Sequence, residues 1–427
     1  MFDKIRALWV TNQPIGKMAQ RLSANYASGT WMDPTLYDMS TVDYVHVSVA
    51  SVGPVESLVH ISEDGVDYYC IPYDKSKIYR YNAKTNISYW KKVISESKPD
   101  IIMIWGTEYA YGRCILEVAK GVPSVIVIQG ILSSVVRFYF GGMSDKEINK
   151  SYTFRNFIKN DSLHKQQKLY LKKAQIEKEM IAMSGNVITE NEWANSYCKA
   201  FLSTCEIHTF KTNIKKLFFD YEWHRGNCQK NTILCTSPVG YPLKGFHNLL
   251  KALAVVKRKH KDICLRVPGI DDPFKNSFFQ KLKLTGYTKY FMRLIEELDL
   301  KDNIYFLGRL SSDQMAEELT KAELYIVPST IENLSMSMRE SMAVGTPCIA
   351  AYAGGIPEIL VDGKNGRLYR PEEWEHLAMI VEKMLDAPSE QLTAISKVAR
   401  EDIRNYYSDF ADAATIGAIY KNILKIT

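Results

Sequence analysis

Short apolar runs rich in β-branched residues alternate with longer amphipathic or polar stretches along most of the chain. ALWVTN (7–12), YVHVSVA (44–50), DIIMIWG (100–106) and PSVIVIQG (123–130) have the length and composition of buried strands. Their alternation with helical patterns predicts a parallel sheet covered by helices on both faces. Residues 145–183 contain no proline and read as mainly helix, in one piece or two. Strands resume at NVIT (186–189) and EIHTF (206–210).

The polar segment DYEWHRGNCQK (220–230) breaks this rhythm and is taken as an interdomain linker. A second series follows: NTILCTS (231–237), a helix over 245–260, DICLRVPG (262–269), a long helix over about 275–298, NIYFLGRL (303–310), ELYIVPS (323–329) and TPCIAAY (346–352). The expected fold class is therefore α/β, with two doubly wound, Rossmann-like domains facing a central cleft. Residues 1–219 form the N-terminal domain, 231–406 the C-terminal domain, and 407–427 a final helix that packs on either one. Ligands of open parallel sheets bind outside the carboxyl ends of the strands, which directs the search for chemistry to those loops.

The length of 427 residues fits two or three domains, and 46% hydrophobic with 24% charged residues excludes disordered and collagen-like classes. The eight cysteines form no C-x-x-C pair, and several lie in apolar runs, so they read as reduced, buried thiols. No secretory leader is visible. The uncharged stretch 121–136 falls short of the ~20 apolar residues of a membrane span. A formal charge of +6 is too small for a nucleic-acid coat. The expected location is the cytosol or the cytoplasmic face of the inner membrane.

The densest chemistry lies in PSTIENLSMSMRESMAVGTPCIAAYAGGIPEIL (328–360). A strand ends at Pro328, a polar loop carries Glu332, and a short helix carries Glu340 about two turns further on. Both carboxylates can face one ligand and accept several hydroxyl hydrogen bonds, while the amides of Leu334 to Ser337 at the helix start can receive anionic oxygens. On spacing alone the two glutamates also fit solvated surface charges. Glu332, Glu340, Ser341-Met342-Ala343, Gly345-Thr346-Pro347, Gly354-Gly355 and Glu358 resemble, in order, the E-x7-E block of glycosyltransferase family 4, retaining enzymes of GT-B fold. The match runs on through Gly363-Lys364-Asn365-Gly366 and back to Phe306-Leu307-Gly308.

The resemblance implies roles. Glu332 sits at the donor sugar, with Asn333, Leu334 and Ser335 beside it where the family often has E-G-F-G. Glu340 holds the nucleotide ribose, and Gly354 and Gly355 let backbone approach the donor. In SPVGYPLKGFHNLL (237–250), Lys244 and Gly245 resemble the phosphate segment, where lysine offsets the charge of a departing diphosphate. The arginine usual five residues earlier is Val239 here. Either an arginine elsewhere substitutes, with Arg309 the candidate, or the diphosphate is held less tightly.

The first half matches more loosely. Asn12 to Gly16 follows the first strand but is not G-x-G-x-x-G, which disfavours a dinucleotide site. Gly106-Thr107-Glu108 resembles a bacterial polysaccharide-forming subgroup and makes Glu108 a candidate acceptor contact and catalytic group; Glu108 fits a cap on the following helix equally well. Gln129 stands where many relatives have histidine and cannot act as a base. No cofactor and no metal are expected beyond the nucleotide-sugar donor as substrate, since the histidines form no ligand cluster and GT-B enzymes generally need no bound cation.

The charge is uneven. Residues 146–179 carry nine Lys or Arg against four Asp or Glu, just after the aromatic cluster Phe138-Tyr139-Phe140. Residues 135–178 thus suit either an anionic membrane surface or a solvated helix face. The reaction implied is transfer, with retention, of a hexosyl group from a nucleotide sugar to a saccharide or lipid-linked saccharide, in surface polysaccharide or glycan biosynthesis. A GT-B sugar-nucleotide epimerase and a catalytically silent nucleotide-sugar-binding protein are the other readings.

Overall fold

The apolar runs pair into two separate sheets in a computed structural model that describes residues 4–22, 32–72, 83–236, 240–408 and 413–426. The first contains β1 (Ile5–Thr11), β2 (Val45–Gly53), β3 (Val59–Glu63), β4 (Val66–Pro72), β5 (Ile101–Trp105), β6 (Ser124–Val127), β7 (Asn186–Thr189) and β8 (Glu206–Thr209), in spatial order β3-β4-β2-β1-β5-β6-β7-β8. All neighbours are parallel except β3 and β4. Successive β1 side chains go to opposite faces: Ala7 and Trp9 join one apolar core, Leu8 and Val10 the other. Burial on both faces is why these strands read as continuous apolar runs rather than as alternating ones. The β3–β4 hairpin was not expected. It turns at Asp64-Gly65, both left-handed at φ 51° and 76°, as a two-residue hairpin turn requires.

The second sheet contains β9 (Thr232–Leu234), β10 (Cys264–Pro268), β11 (Ile304–Gly308), β12 (Leu324–Val327), β13 (Cys348–Ala351) and β14 (Arg367–Tyr369), in order β11-β10-β9-β12-β13-β14, all parallel. Six of the eight cysteines are buried.

The chain divides into two compact units: residues 1–133, 169–213 and 407–427, and residues 134–168 with 214–406. This differs from the expected boundaries in two places. Residues 220–230 are not a free linker, because Trp223 is buried in the second unit, its backbone N–H bonded to Val344 O and its indole N–H to Ala322 O, each at 2.9 Å. Residues 134–168, expected in the N-terminal domain, fold onto the second sheet's helices. Tyr290 donates to Glu147 at 2.5 Å, Thr153 Oγ1 to Leu284 O at 3.0 Å, and His247 Nε2 meets Gly141 O at 2.9 Å.

Helices also break more often than their composition predicts. Residues 145–184 form three, Asp145–Lys150, Phe154–Lys159 and Leu163–Ser184. Ser144 with Glu147 and Thr153 with Asn156 make capping boxes that start the first two, and left-handed Asn160 ends the second. The long helix expected over 275–298 is a short Phe278–Lys281 helix and a separate Gly286–Glu297 helix capped by Thr285. The final Ala413–Leu424 helix packs in the first unit, where Ile416, Ile419 and Tyr420 join the core and Tyr420 OH accepts from Trp9 Nε1 at 2.7 Å.

Candidate functional site

In the second unit the chain leaves β9 towards β10 and β11, then returns to place β12 on the other side of β9. The loops after β9 and β12 therefore diverge at a switch point, where open parallel sheets form a crevice. A cavity of 370 Å³ lies there, lined by Thr236 and Lys244 from the first loop and by Glu332, Leu334, Ser335 and Glu340 from the second, among others.

Backbone fit brings the loops together. Gly245 is left-handed at φ +67°, and a Cβ there would lie 1.8 Å from Pro328 O. Thr330 N–H bonds to Leu243 O at 2.8 Å. Lys244 is thus carried against the end of β12, where its ammonium donates to Glu332 Oε1 in an ion pair. Glu332 is supported from behind: Gly354 at φ +55° has room for no Cβ, which would lie 1.6 Å from Glu332 O, and Gly355 N–H bonds to Asn333 O at 3.0 Å. These glycines therefore buttress the Glu332-Asn333 backbone and do not line the cavity.

Ser335 caps the Met336–Val344 helix, accepting from Met338 N–H at 3.3 Å, so the helix N-terminus with its partial positive charge opens on the cavity. Glu340 lies one turn further along. Burial pushes its carboxyl up to about 7, against the opposing pull of Arg339 and Lys215, and among the described residues the carboxyl makes no hydrogen bond. Arg309 is exposed at the end of edge strand β11 and does not line the cavity. Val239 lies outside the described residues.

In the first unit Glu108 follows β5 beside the corresponding β1/β5 switch. It does not cap the next helix, Tyr111–Val118, whose N-cap Ala110 has no side-chain cap. Its carboxyl folds back over Gly106, where a Cβ would collide with it and lie 3.2 Å from Gln129 Cδ. Burial raises the Glu108 pKa, and Glu108 Oε2, Gln129 Nε2 and Ser133 Oγ are buried without a hydrogen bond among the described residues.

Two residues in this cluster escaped the sequence reading. Glu177 is fully buried and accepts from Thr107 Oγ1 at 2.8 Å and from the backbone N–H groups of Leu132 and Ser133 at 3.0 and 3.4 Å, while burial pushes it up to about 7. Lys173, counted above as part of a basic surface, is buried, with its ammonium over the rings of Tyr170 and Tyr109 at 4.8 and 5.1 Å. Burial brings it down to about 8, opposed by the nearby Glu108. Their spacing with buried Ala174, Met180 and Ile181 marks the inward stripe of the Leu163–Ser184 helix and is the signal that would have found them. His46 bonds Asp67 at 3.0 Å and His208 bonds Asn186 at 3.3 Å, each joining neighbouring strands or their ends. Among the described residues no three His, Cys, Asp or Glu side chains are grouped to hold a metal ion.

Residues 222–402 match the family described as glycosyl transferases group 1, a segment that contains every cavity residue named above. The MMP alpha-(1->4)-mannosyltransferase of Mycolicibacterium hassiacum is 31% identical over 196 residues, 46% of this chain and 44% of that protein. Sulfoquinovosyl transferase SQD2 of Arabidopsis thaliana is 33% identical over 104 residues, 24% of this chain and 20% of that protein. The chain thus spans less than half the length of the curated relatives it matches. Solved structures align over nearly all of it. Sucrose-phosphate synthase of Thermosynechococcus elongatus superposes with a TM-score of 0.71 at 14% identity, over 98% of this chain and 99% of that one. Anabaena HepE in complex with UDP-glucose superposes at 0.62 and 16% identity, over 98% and 99%. The fold is that of GT-B glycosyltransferases.

Proposed function

We propose that the protein is a retaining glycosyltransferase resembling family 4, which takes a hexosyl group from a nucleotide-sugar donor bound in the cavity of the second unit. The observation that carries this reading is the convergence of Lys244, Glu332, Glu340 and a helix N-terminus on one 370 Å³ space. Its groups match the parts of such a donor. Ammonium and helix N–H groups suit a diphosphate, Glu340 suits the ribose hydroxyls, and Glu332 suits the sugar as positive charge develops at its anomeric carbon. Before the donor arrives, Glu332 neutralises Lys244. The diphosphate takes over the ammonium, leaving Glu332 to the sugar. Retention then follows from attack on the face the phosphate leaves, with the phosphate helping to take the acceptor proton.

The acceptor, a saccharide or lipid-linked saccharide of surface polysaccharide or glycan synthesis, is assigned to the first unit. Support comes from Glu108 and Gln129, whose buried polar atoms await a partner and can hold a hydroxyl. Burial makes Glu108 a stronger base than an exposed glutamate and suits it to share in proton removal.

The test is a thermal-shift screen of UDP-, GDP- and ADP-sugars, followed by turnover of the donor that binds. A ligand held only by the folded state raises its melting temperature. Lys244→Ala is expected to lower kcat by about 10²–10³, and Glu332→Gln to lower it while keeping the donor-induced shift. No shift with any donor, or normal turnover in both folded variants, sinks the assignment.

A further inference from the structure

A feature outside both polar clusters lies on the surface of the second unit. The Phe154–Lys159 helix turns Phe154, Phe157 and Ile158 to solvent, Phe157 at 70% of full exposure, and Tyr152 just before it is exposed as well. A segment far along the chain stands beside it. Thr153 Oγ1 donates to Leu284 O at 3.0 Å, Lys289 Nζ donates to Tyr152 O at 2.9 Å, and a Cβ on Gly286 would lie 3.0 Å from Ser151 O. This second segment exposes Phe279, at 75%, and Leu282. Large apolar side chains are thus exposed on two segments that are hydrogen-bonded to each other, which marks an interaction surface rather than scattered exposure.

The charge around them identifies the partner. Residues 273–295 contain five Lys or Arg and no Asp or Glu. Asp161 is taken up by Arg155 at 2.5 Å and Asp272 by Lys275 at 3.6 Å, whereas among the described residues Lys150, Lys159, Lys281 and Lys283 have no carboxylate partner. The two segments therefore expose apolar side chains together with lysines that have no carboxylate partner among the described residues, although Arg293 is paired with Glu297 at 3.4 Å. That combination fits an anionic bilayer, which offers hydrocarbon beneath a layer of phosphate.

We propose that this face of the second unit docks on an anionic lipid surface, with Phe154, Phe157, Ile158 and Phe279 entering the interface and Lys281 and Lys283 meeting lipid phosphates. The face differs from the one the sequence suggests. Of that basic run, Lys173 is buried, and Lys172 belongs with it to the first unit, while half of the docking surface comes from residues 278–289.

The test is flotation of the full chain with phosphatidylglycerol/phosphatidylcholine vesicles and with phosphatidylcholine alone. The wild type is expected to float with the anionic vesicles only, and to be released by high salt. Lys281→Glu with Lys283→Glu should weaken binding roughly tenfold or more, since each basic side chain contributes about fivefold near anionic lipid. Phe157→Ser with Phe279→Ser should weaken it at unchanged charge, and the exposed Lys397→Glu should leave it intact. Circular dichroism melting confirms that each variant folds. Failure of the wild type to float, or equal flotation by the folded variants, overturns the proposal. So does concentration-dependent self-association in sedimentation that the Phe157/Phe279 variant abolishes while vesicle binding persists; that result assigns the face to a second copy of the chain.

Discussion

Lys244 and Glu332 neutralise one another, but Glu340 in the same cavity has no hydrogen bond among the described residues and retains its proton up to about pH 7. An unfolded glutamate loses its proton near pH ~4.3. Between those values the folded chain binds the extra proton, so the Glu340 contribution to stability is fully present below about pH 4 and is lost as pH rises through about 7. Glu340→Gln removes that slope. Urea unfolding from about pH 5 to about pH 8 should show wild-type stability declining by about 1–3 kcal/mol more than the variant's. Glu177, shifted in the same direction, is present in both proteins and cancels. Parallel pH profiles would refute the buried-proton account. Glu332, Glu340 and Lys244 were legible as candidates because they stand, in order, in blocks that resemble those of glycosyltransferase family 4. Glu177 and Lys173 were not, because charges inside a long polar helix look solvated until its partners are known.

At the scale of elements, the cavity depends on loops that must fit backbone to backbone. Gly354 is the sharpest instance, since both its left-handed φ and the 1.6 Å approach to Glu332 O forbid a side chain. Gly354→Ala should displace the Glu332 loop, cost about 1–3 kcal/mol in denaturant midpoint measurements and remove donor-induced stabilisation. Normal turnover by the folded variant would show that the loop does not position Glu332. Strand positions were legible because doubly buried strands give continuous apolar runs; the long helices were not, because Asn160 and the caps at Ser144, Thr153 and Thr285 interrupt them without proline or glycine inside residues 145–183. The hairpin at Asp64-Gly65 carried a readable turn signal, but its β3 side chains are mostly exposed and do not form an apolar run.

For the molecule as a whole, two α/β units were legible from the two series of strands, but their membership was not. Assigning residues by chain order placed 134–168 in the first unit, whereas Glu147, Thr153 and Gly141 find their partners in the second. The last helix completes the first unit's core through Ile416, Ile419 and Tyr420. Deleting residues 407–427 should therefore speed hydrogen exchange in β1, β2 and β5 by at least about tenfold and leave β9, β12 and β13 protected, as mass spectrometry of peptides would read. Uniform loss of protection, or none, would contradict this division.

That last helix also sets an order of assembly during synthesis. The chain passes between units at 133/134, 168/169, 213/214 and 406/407, so neither unit is encoded by an uninterrupted stretch. The second unit is complete once residue 406 has left the ribosome, while the first, although begun earlier, must keep Trp9 and its neighbours waiting for Tyr420. The unit translated first is thus the last to close its core, which stays incomplete until after every segment of the second unit has been made.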